Sequence, residues 1–242
     1  MNIIQISDTH ILAKPGETFD GVDSAATLTA VLENINARSP SPDMILLTGD
    51  LVHDPDVASY QRLNDLLRMV KVPVYALPGN HDDPAVMPRY LTGVQHDKRI
   101  EQAGWQILLL NSWLPDEHAG ELPASELDWL EQQLKHNTLP TLVALHHPPV
   151  KIDSPWMDGM RLCNPDDFFR VIDRHAHVRA VVWGHIHQVF ETRRDHVQLL
   201  GCPSTCVQFE PQSHEYATDT AGPGYRCLYL QDDKISSEII RI

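Results

Sequence analysis

The chain is poor in cysteine. Four thiols in 242 residues, Cys163, Cys202, Cys206 and Cys227, form no CxxC pair and no zinc-ribbon spacing. That excludes a disulfide-stapled scaffold and a thiolate zinc module. Nor does it have an apolar run approaching the roughly 18–20 residues that a membrane-spanning helix requires. The N-terminus, MNIIQISDTH, has no basic leader, long apolar stretch or small-residue cleavage site. With few cysteines and no export signal, the expected compartment is the cytoplasm. Positive charge is scarce as well: 19 Lys and Arg stand against 33 Asp and Glu, a net charge of −14. A partner for nucleic-acid polymers carries a basic stripe, and none is present. An acidic chain can still handle a small anion if something local supplies positive charge, and metal ions would do so. Repeats, low-complexity tracts and linkers are absent too, which points to one domain over residues 1–242.

What the chain does contain is an alternation of short apolar runs with helical periodicity. Ile3 to Ile6, Met44 to Leu47, Val72 to Leu77, Trp105 to Leu110, Thr141 to Leu145 and Val178 to Trp183 read as strands. Between them, Asp23 is placed to cap a helix striped by Leu28, Val31, Leu32 and Ile35, and Tyr60, Leu63, Leu67 and Val70 stripe a second. Ser125 and Asp128 have capping-box spacing, and Asn164-Pro165 pairs a cap residue with proline at the first helical position. After His187 the texture changes to successive β segments: Val189–Arg193, Val197–Leu200, Thr205–Phe209, Arg226–Leu230 and Ile235–Ile240. The expectation is an α/β fold of two sheets packed face to face with helices outside. The Gly/Pro/Ser/Thr-rich stretch at 203–224 reads as a long functional loop.

Chemistry collects where strands stop. Asp8 and His10 follow the first strand; Asp50 follows the second; Asn80, His81 and Asp82 the third; His146 and His147 the run at Thr141; His185 and His187 the run at Val178. An isolated aspartate in such a place is usually a turn residue or a helix cap. Five coincident strand ends are not accounted for that way. In a parallel sheet those ends gather along one edge, where ligands bind. His185 and His187, two positions apart in an extended segment, would point to the same side. Carboxylate, amide and imidazole donors together suit Mn, Fe, Co or Zn, and seven or eight of them exceed one four-coordinate ion. Two ions about 3.5–4 Å apart sharing a carboxylate would use them.

These blocks, D-x-H at 8–10, GD at 49–50, GNHD at 79–82, HHP at 146–148 and GHxH at 184–187, resemble those of the calcineurin-like metallophosphoesterases. PSTCVQFEP at 203–211, DTAGPGYRCLYL at 219–230 and HAGELPASELDWLEQQL at 118–134 are similar to segments of the bacterial class III 3′,5′-cyclic-AMP phosphodiesterases. The resemblance implies a four-layer α-β-β-α sandwich of the metallophosphoesterase type. It also implies two divalent or mixed-valence transition-metal ions (Fe, Mn, Zn or Co). One would be held by Asp8, His10, Asp50 and His187, the other by Asp50, Asn80, His146 and His185, with His147 the alternative to His146. His81 would be the catalytic residue that touches the phosphate, and His10, Asn80, His81 and His187 would contact substrate. The implied reaction is hydrolysis of cyclic AMP to 5′-AMP by a hydroxide bridging the metals. The alternative is broader action on glycerophosphodiesters or other small diesters. The implied partner is a small cyclic nucleotide, with no nucleic-acid polymer and no membrane; a homodimer stays open. The base would sit against residues 203–211, with His118 and Trp156 nearby. His53, His96, His136, His175, His177, His196 and His214 are expected to be ordinary surface histidines.

Overall fold

The first strand shows how the layers are built. In the computed structural model, which describes residues 1–242, β1 (Asn2–Ile6) alternates between two apolar environments. Ile4 and Ile6 pack beneath helices, while Ile3 faces a second sheet. A strand buried on both faces is the mark of a layered α/β architecture.

Five strands form the first sheet: β1, β2 (Met44–Thr48), β3 (Val74–Leu77), β12 (Gly224–Gln231) and β13 (Lys234–Arg241), in the order β13-β12-β1-β2-β3. β1, β2 and β3 are parallel, and β12 joins β1 antiparallel, pairing Ile3 with Leu228. The second sheet contains β4 (Arg99–Gln102), β5 (Trp105–Leu109), β6 (Thr141–Ala144), β7 (Val178–Trp183), β8 (Phe190–Arg194) and β9 (Val197–Gly201), in the order β4-β5-β6-β7-β9-β8. Its four central strands are parallel and its two edge strands antiparallel. A small hairpin of β10 (Gln208–Phe209) and β11 (Thr218–Asp219) stands apart.

Helices α1 (Ser24–Asn36) and α2 (Val57–Leu67) cover the outer face of the first sheet, setting Leu28, Leu32, Tyr60 and Leu63 against Ile4, Ile45 and Leu47. Helices α4 (Ala124–His136) and α6 (Pro165–Ile172) cover the second, setting Leu130, Leu134 and Phe168 against Val143 and Val181. Between the sheets Ile3, Leu46 and Leu228 meet Ile107, Leu142 and Val182. The fold is the four-layer α-β-β-α sandwich that the motifs imply. Two single-turn helices, α3 (Met87–Tyr90) and α5 (Pro155–Asp158), are too short to leave a periodic trace.

Several local expectations change. The β segments after His187 divide between the two sheets: β8 and β9 extend the second, and β12 and β13 return to complete the first. Thr205–Val207 is loop rather than strand, tied to the end of β1 by the Thr205 N–H donating to Ser7 O at 3.2 Å. α4 begins at Ala124 behind Pro123 with no side-chain cap, so Ser125 lies inside the helix and caps nothing. Asn164 does precede α6, but its amide bonds both backbone groups of Leu122, at 3.1 and 2.8 Å, and stitches that helix to the loop before α4. Asp23 caps α1 as its sequence position suggests, accepting from the N–H groups of Ala25 and Ala26.

Removing the Asp23 cap is expected to cost about 1 kcal/mol, whereas Leu142→Ala, in the layer between the sheets, should cost roughly 2–5 kcal/mol. Urea unfolding of the two variants checks this, and comparable midpoints would contradict the layered packing described.

Candidate metal centre

The parallel strands of both sheets run so that the ends of β1, β2, β3, β6 and β7 open onto one edge of the sandwich. Glycine lets the two sheets close there. A Cβ at Gly184 would lie 1.9 Å from Ser7 Oγ and 2.8 Å from Asp8 Oδ2, and one at Gly79 would lie 2.2 Å from Asp50 Oδ1. Immediately beyond the strands the backbone leaves the β region. Asp8, His10, Asp50, His185 and His187 all have positive φ, between 43° and 68°. Non-glycine residues seldom adopt that conformation, and where they do the surrounding structure must hold it.

This conformation corrects one expectation. His185 and His187 are not in an extended segment, and their rings serve different neighbours. His185 Nδ1 lies 2.9 Å from Asn80 Oδ1, and His146 Nε2 lies 3.1 Å from the same oxygen. His187 Nε2 instead lies 3.0 Å from His10 Nε2 and 3.5 Å from Asp8 Oδ1. Asp50 stands between the groups: its Oδ2 is 3.3 Å from His146 Nε2 and 3.7 Å from His10 Nε2. The structure thus brings together all seven residues that the family resemblance implies as ligands. Of the adjacent histidines, His146 reaches Asp50 and Asn80, while His147 places Nδ1 2.8 Å from Ser112 Oγ.

Backbone carbonyls orient the imidazoles from behind. The Nδ1–H groups of His146, His187 and His81 donate to Thr48 O, Val207 O and His53 O, each at 2.8 Å. Those bonds orient each ring with Nε2 turned away from the carbonyl, where in the neutral form its lone pair lies. Asp8 receives the His185 N–H at 2.9 and 3.1 Å on its two oxygens, and Asp50 Oδ1 receives the His81 N–H at 2.9 Å. Asp82, next to the donors, braces the loops: it accepts from the Leu51 and Gly79 N–H groups and from the Tyr60 hydroxyl.

The electrostatics show what the cluster wants. Asp8 and Asp50 are buried and their ion-pair contacts are with histidines alone. Burial, joined by the Asp50 charge, pushes the Asp8 carboxyl up to about 7. Burial would raise Asp50 too, but the surrounding imidazoles, His146 first, hold it well below the usual carboxylate range. Burial opposes a charge on His146, yet the Asp50 carboxylate lifts it to about 9. Burial depresses His10 and His185 well below the ordinary imidazole range and His187 to about 3. The chain alone therefore favours one ion pair, Asp50 with His146, while burial disfavours charge on His10, His185 and His187 beside carboxylate and amide oxygens. Electron-rich atoms packed this closely are unfavourable without a cation among them. His185 Nε2 and His10 Nδ1 have no protein partner at all. The ligand atoms of Asp8, His10, Asp50 and His187 lie within 4.8 Å of one another, as do those of His146, His147 and His185. This arrangement fits metal ions.

The cluster forms the floor of a cavity of about 380 Å³, within the usual range for small-molecule sites. Half-buried His81 lines it, edge-on to His10 with ring centroids 4.9 Å apart. His118 and Trp156 line it, as expected from their positions. His53 is a correction: it is no ordinary surface histidine, because it stacks on His81 at 5.1 Å and its ligand atom lies within 4.8 Å of those of His10 and His81. Phe19, Asp20 and Tyr216 also line the cavity and went unnoticed in the sequence. Only Tyr216 had a signal, through its place in the 203–224 stretch.

Residues 1–189 match the model of the calcineurin-like phosphoesterases. The chain is 40% identical over 236 residues to a 3′,5′-cyclic-nucleotide phosphodiesterase of Nostoc sp., covering 96% of this chain and 89% of that protein. It is 37% identical over 243 residues to the 3′,5′-cyclic adenosine monophosphate phosphodiesterase of Pseudomonas aeruginosa, covering 99% and 89%. Among solved structures, a dimetal phosphatase from Danio rerio superposes with a TM-score of 0.72 over 98% of this chain and 95% of that one, at 16% identity. That last likeness concerns the fold. No helix is long and apolar enough to cross a membrane. With its motifs gathered at one sheet edge and its sequence matched over most of its length, the chain belongs to the calcineurin-like phosphoesterase family.

Proposed function

We propose that the protein hydrolyses 3′,5′-cyclic AMP to 5′-AMP at this centre, in the cytoplasm. The observation that carries the reading is the position of Asp50, whose Oδ2 faces His146 from one donor group and His10 from the other. In this reading Asp8, His10, Asp50 and His187 hold one ion, and Asp50, Asn80, His146 and His185 hold the second, with Asp50 common to both. The donor types suit Mn, Fe, Co or Zn. When bound, such ions neutralise charge on phosphoryl oxygens and lower the pKa of water, which an acidic chain cannot do with its own side chains here.

The chain's own contribution is orientation and a proton. His10, Asn80 and His187 on the cavity floor face the phosphate. His81 Nδ1–H is engaged by the His53 carbonyl at 2.8 Å, so Nε2 is the nitrogen left for the substrate. As a water oxygen bonds to phosphorus, losing one proton to solvent, and the P–O3′ bond breaks, protonated His81 Nε2 gives its hydrogen to the departing O3′. Phe209, stacked on His187 at 4.0 Å, offers an apolar surface for the base beside the donors. Relatives named for cyclic-nucleotide hydrolysis over nearly the whole chain support this substrate over other diesters.

Specificity constants for cyclic AMP, glycerophosphocholine and bis-p-nitrophenyl phosphate test the substrate; a preference for glycerophosphocholine would replace it. Asp50→Asn is expected to lower bound metal and reduce kcat/KM by about 10³-fold or more, roughly 4 kcal/mol. Full metal content and turnover in that variant would refute the shared ligand. His81→Ala should keep both ions while losing about 10²–10⁴-fold in kcat. Parallel loss of metal, read by elemental analysis, would make His81 a ligand instead. Gly184→Ala should lower metal content without a change in far-ultraviolet dichroism, because the added methyl displaces Ser7 and Asp8.

A further inference from the structure

The cavity has an aromatic wall to which the chemistry above assigns only a general role. Phe209 lies face to face with His187, with an interplanar angle of 8°, so the wall begins directly at the donor cluster. Trp156 and Tyr216 stand edge-on to Phe209, with centroids at 5.2 and 5.4 Å, and edge-on to each other at 5.5 Å. Phe19 joins the lining 4.9 Å from the His10 ring. The ring faces left open in such a cluster can receive a base through stacking, whichever base it is.

One group on the wall is not indifferent. Asp20 lines the same cavity and projects from a two-residue turn. Phe19 and Val22 exchange both backbone hydrogen bonds at 2.9 Å, and Asp20 and Gly21 have φ of 47° and 79°. Positive φ at both central positions is the pattern of a type I′ turn, for which Asp-Gly is a favoured pair. The Tyr216 hydroxyl donates to Asp20 Oδ2. The carboxylate is thereby tied to the wall at two points, its own backbone and a wall residue 196 positions away. Oδ1 meets no donor from the chain, and no lysine, arginine or histidine forms an ion pair with it.

A carboxylate only accepts hydrogen bonds. In a cavity that takes a phosphate anion, a fixed carboxylate is repulsive unless the ligand brings a donor to it. At the base edge of adenine the donor is the 6-amino group, N1 and N7 being acceptors. We infer that Asp20, positioned by Tyr216, selects the base, its free oxygen accepting a hydrogen bond from the 6-amino group of an adenine stacked on the Phe209–Tyr216–Trp156 wall. This inference rests on the cyclic-AMP reading and names the residue that would give it its base preference.

Calorimetry on the metal-reconstituted protein tests it with 5′-AMP, purine riboside 5′-monophosphate (AMP without its amino group) and 2′-deoxy-AMP. The wild type is expected to bind AMP about 10-fold more tightly than the deamino analogue, a difference of about 1.4 kcal/mol. In Asp20→Gly, which suits the type I′ turn and deletes the acceptor, the ratio should fall to near one. Tyr216→Phe, which releases the carboxylate, should give a ratio between these two. An unchanged ratio in Asp20→Gly, or equal weakening of both nucleotides, would reduce the Asp20–Tyr216 contact to a strut and overturn the inference. Selective loss on removing the 2′-hydroxyl would overturn it as well, assigning Asp20 to the ribose. A wild type that cleaves bis-p-nitrophenyl phosphate but not cyclic AMP would remove the proposed function, while the AMP comparison would still decide what Asp20 reads.

Discussion

Asp8 and Asp50 are 0% and 2% exposed, and their ion-pair contacts are with histidines alone. Taking two carboxylates out of water without a lysine or arginine beside them is costly, and the chain offsets it only in part. Asp50 leans on His146, while Asp8 is pushed toward neutrality by burial and bonded to the His185 N–H. Burial holds His10, His185 and His187 below the ordinary imidazole range, so these rings do not offset the carboxylates by charge. A cation removes all of these conflicts together, which is why the buried polar groups at this sheet edge make sense as a set.

The scaffold accepts further cost to keep them there. Five donor residues hold left-handed backbone conformations, each of which disfavours folding by an amount of order 1 kcal/mol or more. What over-determines them is the sandwich itself. Three of the donor-bearing strands belong to one sheet and two to the other, so the site straddles the layer filled by Ile3, Leu46, Leu142 and Val182. Residues 204–207 fasten the two halves: Ser204 Oγ donates to Asp8 O at 2.7 Å, and Val207 O receives His187 Nδ1–H at 2.8 Å. The floor of the cavity is consequently rigid for the same reason that the core is well packed.

How much of this could be read from the sequence depends on what kind of information each feature needs. Donor identity is local: an Asp, Asn or His just past an apolar run is visible one strand at a time, but which seven of them would hold metal came from the family resemblance, and those seven converge. The grouping of His185 with Asn80 but His187 with His10 is not local, because it depends on backbone φ values that a period-two pattern does not encode. His53 escaped because nothing in TGDLVHD distinguishes it from a surface histidine; its role follows from a carbonyl bonded to His81. β4 escaped because Arg99, Glu101 and Gln102 surround a single buried residue, Ile100, as suits an edge strand that must not recruit another chain. Phe19 and Tyr216 lie nearly 200 positions apart, and only the folded hairpin of β10 and β11 shows them sharing a cavity.

The division of labour between floor and wall also accounts for the acidity of the chain. A net charge of −14 would deter a nucleotide if recognition rested on the surface field. In the proposed function the anion is handled by a buried cluster whose positive charge would come from bound cations, short in range once screened by salt. Much of the remaining lining is aromatic, Phe19, Trp156, Phe209 and Tyr216, and can hold a base by stacking with no lysine or arginine needed. In the proposed function a small diester inside the cavity would meet cations at one end and rings at the other. Whether an acidic chain can handle an anionic ligand is in this way decided by where it keeps its charge, not by how much it carries.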